Sequence, residues 1–176
     1  MSDLNRDYIL AVLGNKVDQV KFYLHIGADI NAKEDEIDNF PALILAVQNG
    51  FMEVAKVLLD AGVDPNTVDY HGRTALMFAV LWRRDKEMVK LLIDAGADVN
   101  AQDADKRTAI IFASMYPPKG KSPDIVKLLL NAGADVSAED KHGLSPIMYA
   151  RISKHKRIAK VLVRAMSNEK ERNKEE

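Results

Sequence analysis

The apolar residues of this chain return in phase. Val54, Val57, Leu58 and Ala61 stand at i, i+3, i+4 and i+7, which places them on one face of an α-helix. The same four places recur as Met88, Leu91, Leu92 and Ala95, as Ile125, Leu128, Leu129 and Ala132, and as Ile158, Val161, Leu162 and Ala165. Four identical phases predict four equivalent helices. A shorter apolar run precedes each of them, PALILAVQNG from Pro41 being the clearest, and predicts a first helix in every unit. At the start of the chain, Asp7 to Gly14 and Lys16 to Ile26 predict a further pair. No stripe this narrow is buried by its own helix, so stability has to come from stacking.

Between the helical runs lies a recurring turn. IGADINAKE (Ile26 to Glu34), AGVDPNTVD (Ala61 to Asp69), AGADVNAQD (Ala95 to Asp103) and AGADVSAED (Ala132 to Asp140) register on their glycines. Gly27 to Gly62 is 35 residues, Gly62 to Gly96 is 34 and Gly96 to Gly133 is 37. A self-similar period in the thirties is the signature of a stacked repeat array. Each of these glycines is placed to end a second helix in the left-handed conformation. A polar turn follows, as in VDYHGRTALMFA, where Gly72 is free to turn and Thr74 is placed to cap the next helix. Its equivalents are Lys106 with Thr108, and Gly143 with Ser145 and Pro146. Lys106 lacks the freedom of glycine, so its turn is expected to differ.

With these residues in hand, the chain resembles the ankyrin-repeat family from about Asp7 to Ala165. Asp69, Gly72, Thr74, Leu76, Ala79, Leu91, Leu92, Gly96, Ala97, Asp98 and Asn100 fit the family pattern. The resemblance implies an all-α solenoid of about five repeats, each a short β-hairpin loop and two antiparallel helices, stacked around a concave binding face. It sets an ankyrin domain at residues 1–166, with an N-terminal cap repeat at 1–31, internal repeats at 32–66, 67–100 and 101–137, and a C-terminal cap repeat at 138–166. Residues 167–176 form a charged tail, either a frayed helical extension or disordered. The outer face of each cap should be polar, because nothing stacks on it.

Two departures from the pattern matter. The family's histidine is replaced by Ile44, Met77, Ile111 and Met148, so apolar packing should serve there. Insertions fall near Glu34 to Asp38, Trp82 to Asp85 and Met115 to Pro123.

Composition narrows the function classes. A net charge of −1 gives no general attraction to nucleic acid or anionic membrane, and the absence of cysteine excludes disulfides and thiolate zinc sites. No signal peptide or membrane-length apolar run is present, which leads to the expectation of a cytoplasmic protein. The GKS at Gly120 to Ser122 lacks the first glycine of a phosphate loop, whose place is Met115, and Ser122 reads instead as a cap for the helix after Pro123. The D-x-N-x-x-D copies lack the twelfth-place glutamate of a calcium loop and read as turn residues bonding their own backbone. His25, His71, His142 and His155 have no metal-ligand spacing. No cofactor, no metal and no catalytic group are expected.

What remains is recognition. The family resemblance puts Phe40, Tyr70, His71, Arg73, Trp82, Arg107, Met115, Tyr116 and Leu144 at hairpin tips and first-helix ends. Aromatic residues and arginine most often carry interface energy. These nine are the expected contact residues for a partner protein, bound by a monomer. A plainer reading stands beside it, with Trp82 and Tyr116 shielding enlarged loops and the arginines paired with nearby aspartates. Charge is also uneven, −7 over Ala28 to Asp69 and +5 over Arg151 to Glu176. The alternative function is therefore anion, nucleic-acid or acidic-lipid binding through the basic C-terminal repeat, including the K-H-K-R run at Lys154 to Arg157.

Overall fold

The computed structural model describes residues 3–33, 40–83, 85–116 and 123–172. Helices alternate with turns throughout: α1 (Asp3–Leu13), α2 (Val17–His25), α3 (Ala42–Asn49), α4 (Met52–Asp60), α5 (Ala75–Phe78), α6 (Lys86–Asp94), α7 (Ala109–Met115), α8 (Asp124–Asn131), α9 (Pro146–Ile152) and α10 (Lys156–Arg172). A π-helical turn, Ala79–Arg83, continues α5. Among the described residues the hairpins are reduced to isolated antiparallel bridges, Lys33 with Pro41 and Val68 with Thr74. The architecture is the expected all-α repeat fold. Two compact units divide it, Met1–Asp98 and Val99–Glu176.

Within the first unit α1 packs on α2 and α3, α3 on α4 and α5, and α2 on α4; within the second, α7 packs on α8 and α9, and α10 on α8 and α9. The first helices are almost wholly buried. Ala42 to Val47 on α3, Ala75 to Phe78 on α5 and Ala109 to Ser114 on α7 all lie inside, including Ile44, Met77 and Ile111 at the places of the missing histidine. The second helices bury a stripe turned slightly from the expected one. Val54, Ala55 and Leu58 are buried, as are Met88, Val89 and Leu92, and Ile125, Val126 and Leu129. The i+3 and i+7 residues of the expected face are half-buried or exposed. α4 and α8 each meet two layers, a first-helix partner and an adjoining second helix, so a neighbouring residue joins the stripe.

Each glycine ends its helix as the spacing requires. Gly27, Gly62, Gly96 and Gly133 have φ of 89 to 93. In the AGADVNAQD copy the Ala97 N–H donates to the Leu92 carbonyl at 2.9 Å and the Gly96 N–H to Ile93 at 3.0 Å, which satisfies carbonyls the helix itself leaves open. Asn66 and Asn100 do more than bond their own turns. The Asp98 N–H donates to Asn66 Oδ1 at 2.7 Å and the Asp135 N–H to Asn100 Oδ1 at 2.8 Å, so each amide ties its turn to the following one in the same unit.

Three sequence expectations are corrected. Lys106 adopts φ 59 beside Gly72 at 75 and Gly143 at 73, and its N–H donates to the Asp103 carbonyl as theirs do to Asp69 and Asp140. Its turn is the same turn, held with a strained lysine at a cost of about 1 kcal/mol. Of the three expected caps among the described residues, Thr74 accepts a helix N–H, from Met77 at 3.4 Å, while Thr108 and Ser145 accept none, and Thr108 Oγ1 has no partner among the described residues. The exposed surface of the first and last helix pairs is not polar throughout, since Leu10, Phe22, Ile26, Met148, Ile152 and Val163 are exposed among the charged residues. The tail question is answered as far as Arg172, because α10 runs on to it.

Candidate functional site

Among the described residues an aspartate organises each of three hairpin tips, Asp69, Asp103 and Asp140. In the first unit Asp69 is buried, and its Oδ1 accepts from the backbone N–H groups of His71 and Arg73 at 2.9 and 2.8 Å. Its Oδ2 takes Arg73 Nε at 2.8 Å and Nη2 at 2.7 Å. The guanidinium then lies over the Phe78 ring, 4.8 Å from its centroid. The second unit repeats the device. Asp103 accepts from Asp105 and Arg107 backbone, binds the Arg107 fork at 2.9 and 2.8 Å, and Arg107 covers Phe112 at 5.0 Å. Two N–H groups of one planar guanidinium converging on a single carboxylate oxygen, with the plane laid on an aromatic ring, is a geometry that arginine provides and lysine does not.

The last copy solves the same problem differently. Leu144 stands where the other tips have arginine, and Tyr149 stands where they have Phe78 and Phe112. The Tyr149 hydroxyl donates to Asp140 Oδ2 at 2.5 Å, while His142 and Leu144 N–H groups bind Oδ1. Burial and then the hydrogen bond to Asp140 push the Tyr149 hydroxyl up to about 12. Burial alone would raise the Asp140 carboxyl, but the donors from Tyr149, Leu144 and His142 outweigh it and hold it below its ordinary value. Asp105 joins neighbouring tips of the second unit: its Oδ1 meets Lys141 at 2.7 Å, its Oδ2 meets Arg107 at 2.9 Å and its carbonyl accepts the Lys141 N–H. The Lys141 hydrogen bond, foremost, lowers the Asp105 carboxyl.

The nine expected contact residues therefore fall into different roles. Tyr70 and Trp82 are 64% and 58% exposed in the first unit, and Tyr116 is 45% exposed in the second. The Tyr70 ring lies 3.9 Å from that of His71, which is also exposed. Met115 and Leu144 are half-buried. Arg73 and Arg107 are engaged inward, as above, so they shape the tips. Phe40 is buried edge-on against Phe78, its ring withdrawn from the surface. Trp82 owes its exposure to the insertion noted around it, which is absorbed by the π-helical turn; such turns add a residue without breaking the helix. The plainer sequence reading, arginines paired with nearby aspartates, is what stands at Asp69 with Arg73 and at Asp103 with Arg107; that one carboxylate serves both the arginine and the turn N–H groups was not foreseen, although the repeated D-x-x-x-R spacing was visible.

The remaining candidates separate as clearly. His155 of the K-H-K-R run is buried and its Nδ1 donates to the Ser114 carbonyl at 3.0 Å, whereas Lys154, Lys156 and Arg157 are exposed. The Gly120 to Ser122 run and the expected Ser122 cap lie outside the described residues, as does most of the first insertion. Among the described residues no cluster of three or more histidine or acidic side chains could hold a metal ion, and no helix is long and apolar enough to cross a membrane.

Comparison with known proteins agrees with this geometry. A family model described as ankyrin repeats (3 copies) matches residues 8–103 and 84–174. The chain is 37% identical over 71 residues to the ankyrin repeat and SOCS box protein 6 of Pongo abelii, covering 40% of this chain and 17% of that protein. It is 35% identical over 71 residues to the Homo sapiens protein of the same name, with the same coverage. It is also 36% identical over 70 residues to palmitoyltransferase AKR1 of Kluyveromyces lactis, covering 40% of this chain and 9% of that one. The chain thus spans less than a fifth of the length of these curated relatives. With the repeated turn, the paired helices and a family match over nearly the whole length, this chain belongs to the ankyrin-repeat family.

Proposed function

We propose that the chain is a non-enzymatic module that binds a partner protein through its hairpin tips and first-helix ends, the concave side in the family's arrangement. One observation carries the reading: Tyr70, Trp82 and Tyr116, large aromatic side chains, remain exposed. Tyr70 follows Asp69 on a bracketed tip, Trp82 rides a π-helical turn, and Tyr116 ends α7. Large rigid side chains on a pre-formed surface lose little entropy on binding, which is why such residues dominate interface energies. His71 adjoins Tyr70 in the first unit, and Met115 adjoins Tyr116 in the second, where Leu144 stands on the last tip. Arg73, Arg107 and Phe40 act from beneath by fixing the tips. About 70 residues of similarity give no ground for transferring the named activities of the relatives.

The test compares the wild type with a Tyr70→Ala, Trp82→Ala, Tyr116→Ala triple variant in pull-downs from the native cell extract, after circular dichroism shows equal helicity. A protein retained by the wild type and lost by the variant supports the reading. Retention by both overturns it. If that retention also falls steeply with salt, the basic C-terminal repeat is the binding element and the anion-binding alternative takes over.

A further inference from the structure

The second helices carry a recurring set of outward charges, and α10 reverses it. Aligned on the buried leucines Leu58, Leu92, Leu129 and Leu162, the helices α4, α6, α8 and α10 place Glu53, Glu87, Asp124 and Arg157 at one position. Lys56, Lys90, Lys127 and Lys160 share a second, and Asp60, Asp94, Asn131 and Arg164 a third. Every one of these side chains is exposed. On α4, α6 and α8, which have helix pairs before and after them in the chain, the three positions still face outward, so their exposure does not depend on what stacks beside a pair.

Elsewhere the lysine is paired on its own helix. Lys56 meets Glu53 at 2.7 Å on α4, and Lys90 meets Asp94 at 2.6 Å on α6. On α10 both acid positions hold arginine, and among the described residues Arg157, Lys160 and Arg164 make no ion pair. No acid stands in the first turn of α10. A cation there opposes the positive end of the helix, and like charges three and four residues apart repel. Helix stability therefore does not account for this line of bases.

A groove adjoins it within the second unit. At Met166, the place of Gly62, Gly96 and Gly133, α10 runs on to Arg172. Between α10 and the end of α8 lies an opening of about 770 Å³, whose polar lining is Lys127, Asn131, Arg164 and Asn168 with Asp135 and Glu169. Asp135 is committed to its own turn, where the Ser137 N–H and hydroxyl donate to its Oδ1 at 2.7 and 2.6 Å. Cations and amides are donors that suit carboxylates. A bilayer surface does not enter a recess, and the line of bases offers no aromatic ring on which a nucleic-acid base could stack.

We propose that the outer face of α10, with the groove it shares with α8, binds an acidic segment of a partner polypeptide. Arg157, Lys160 and Arg164 hold carboxylates along the helix, and Lys127 takes one from across the groove. This surface shares no residue with the aromatic anchors at the tips, so it adds a second contact and stands or falls separately from them.

Fluorescence anisotropy of a labelled poly-glutamate peptide titrated with the full chain tests it, with helicity and the thermal midpoint measured alongside. The wild type should bind, more weakly as salt rises. Arg157→Glu with Arg164→Asp installs the residues that α4 carries at these positions, so helicity and midpoint should hold while affinity falls by at least about tenfold. Lys160→Gln replaces that pair if helicity falls. Lys86→Glu with Arg151→Glu, at exposed positions elsewhere, removes the same charge and should change affinity by less than about twofold. Lys127→Ala should weaken binding about threefold and Glu169→Gln should strengthen it. Absence of wild-type binding, equal losses in the two double variants, or indifference to Lys127→Ala overturns the proposal. Tighter binding to a DNA duplex or to phosphatidylserine vesicles than to poly-glutamate also overturns it, and assigns the face to a nucleic acid or a membrane.

Discussion

The tips at Asp103 and Asp140, both in the second unit, have the same backbone and different chemistry. Each aspartate accepts the two N–H groups that close its turn. Asp103 spends its second oxygen on a guanidinium stacked on Phe112, whereas Asp140 spends it on the hydroxyl of Tyr149 at the place of that ring. One is an ion pair between a buried carboxylate and a half-buried guanidinium, and the other a charged–neutral hydrogen bond. The difference teaches that the turn requires a satisfied carboxylate and tolerates two ways of satisfying it. It also separates support from display, because a tip residue committed inward cannot serve as a free anchor.

Breaking the ion pair should have the largest effect. Asp103→Ala leaves Arg107 Nε and two turn N–H groups without their acceptor, with Asp105 still holding the other end of the guanidinium, and should cost about 2 kcal/mol, read as a lower urea midpoint. At the other tip Tyr149→Phe removes one hydrogen bond to a charged group and should cost about 1.5 kcal/mol. Adding Leu144→Arg to that variant installs the Asp103 solution at Asp140, and should return most of the loss. If it returns nothing, the two tips are not interchangeable and the comparison fails.

Titration sharpens the same contrast. Tyr149 has a raised folded value of about 12 against 10.0, from burial first and the Asp140 hydrogen bond second. The fold favours the neutral hydroxyl, so its contribution is whole below pH 10.0 and disappears as pH rises to about 12. The Tyr149→Phe variant should therefore lose less stability than the wild type across that window. Asp140 has the opposite sense: its lowered value makes its contribution present above the ordinary carboxylate range and lost on acidification. An alkaline denaturation profile with the same slope for both proteins would remove Tyr149 from the account.

Smaller effects follow at the turn and the surface. Lys106→Gly relieves a left-handed lysine and should stabilise by about 0.5 kcal/mol after the added freedom of the unfolded chain, seen as a slightly higher thermal midpoint. Trp82→Ala should change stability by less than about 0.5 kcal/mol while lowering partner affinity, since its side chain is largely exposed. A large loss of stability there would make Trp82 a shield for its enlarged turn.

Most of the helices and all four helix-ending glycines were legible, because a period near 34 residues fixes where chain direction reverses and a 3.6-residue period fixes which side is apolar. The candidate surface was legible only in part. Tyr70, Trp82 and Tyr116 could be placed at tips and helix ends from the repeat register together with the family resemblance. That Phe40 lies under Phe78, and that Arg73 and Arg107 turn inward, depends on rotamers and on neighbours that register does not specify. His155 makes the same point, since a residue inside a basic run turned out to bond a buried carbonyl.

By itself, then, the sequence determined the repeat, its period, the ends of its helices and its membership of a binding family. These follow from local rules, backbone freedom at a glycine and the spacing of apolar side chains, which act within a few residues. Tertiary structure alone decided the solution at each aspartate, the left-handed strain accepted at Lys106, the rotation of the buried stripe and the exposure of Leu10 and Met148 at the end pairs. Each of those depends on what packs against a residue from another part of the chain, and a repeat spells out its neighbours only where another repeat stands beside it.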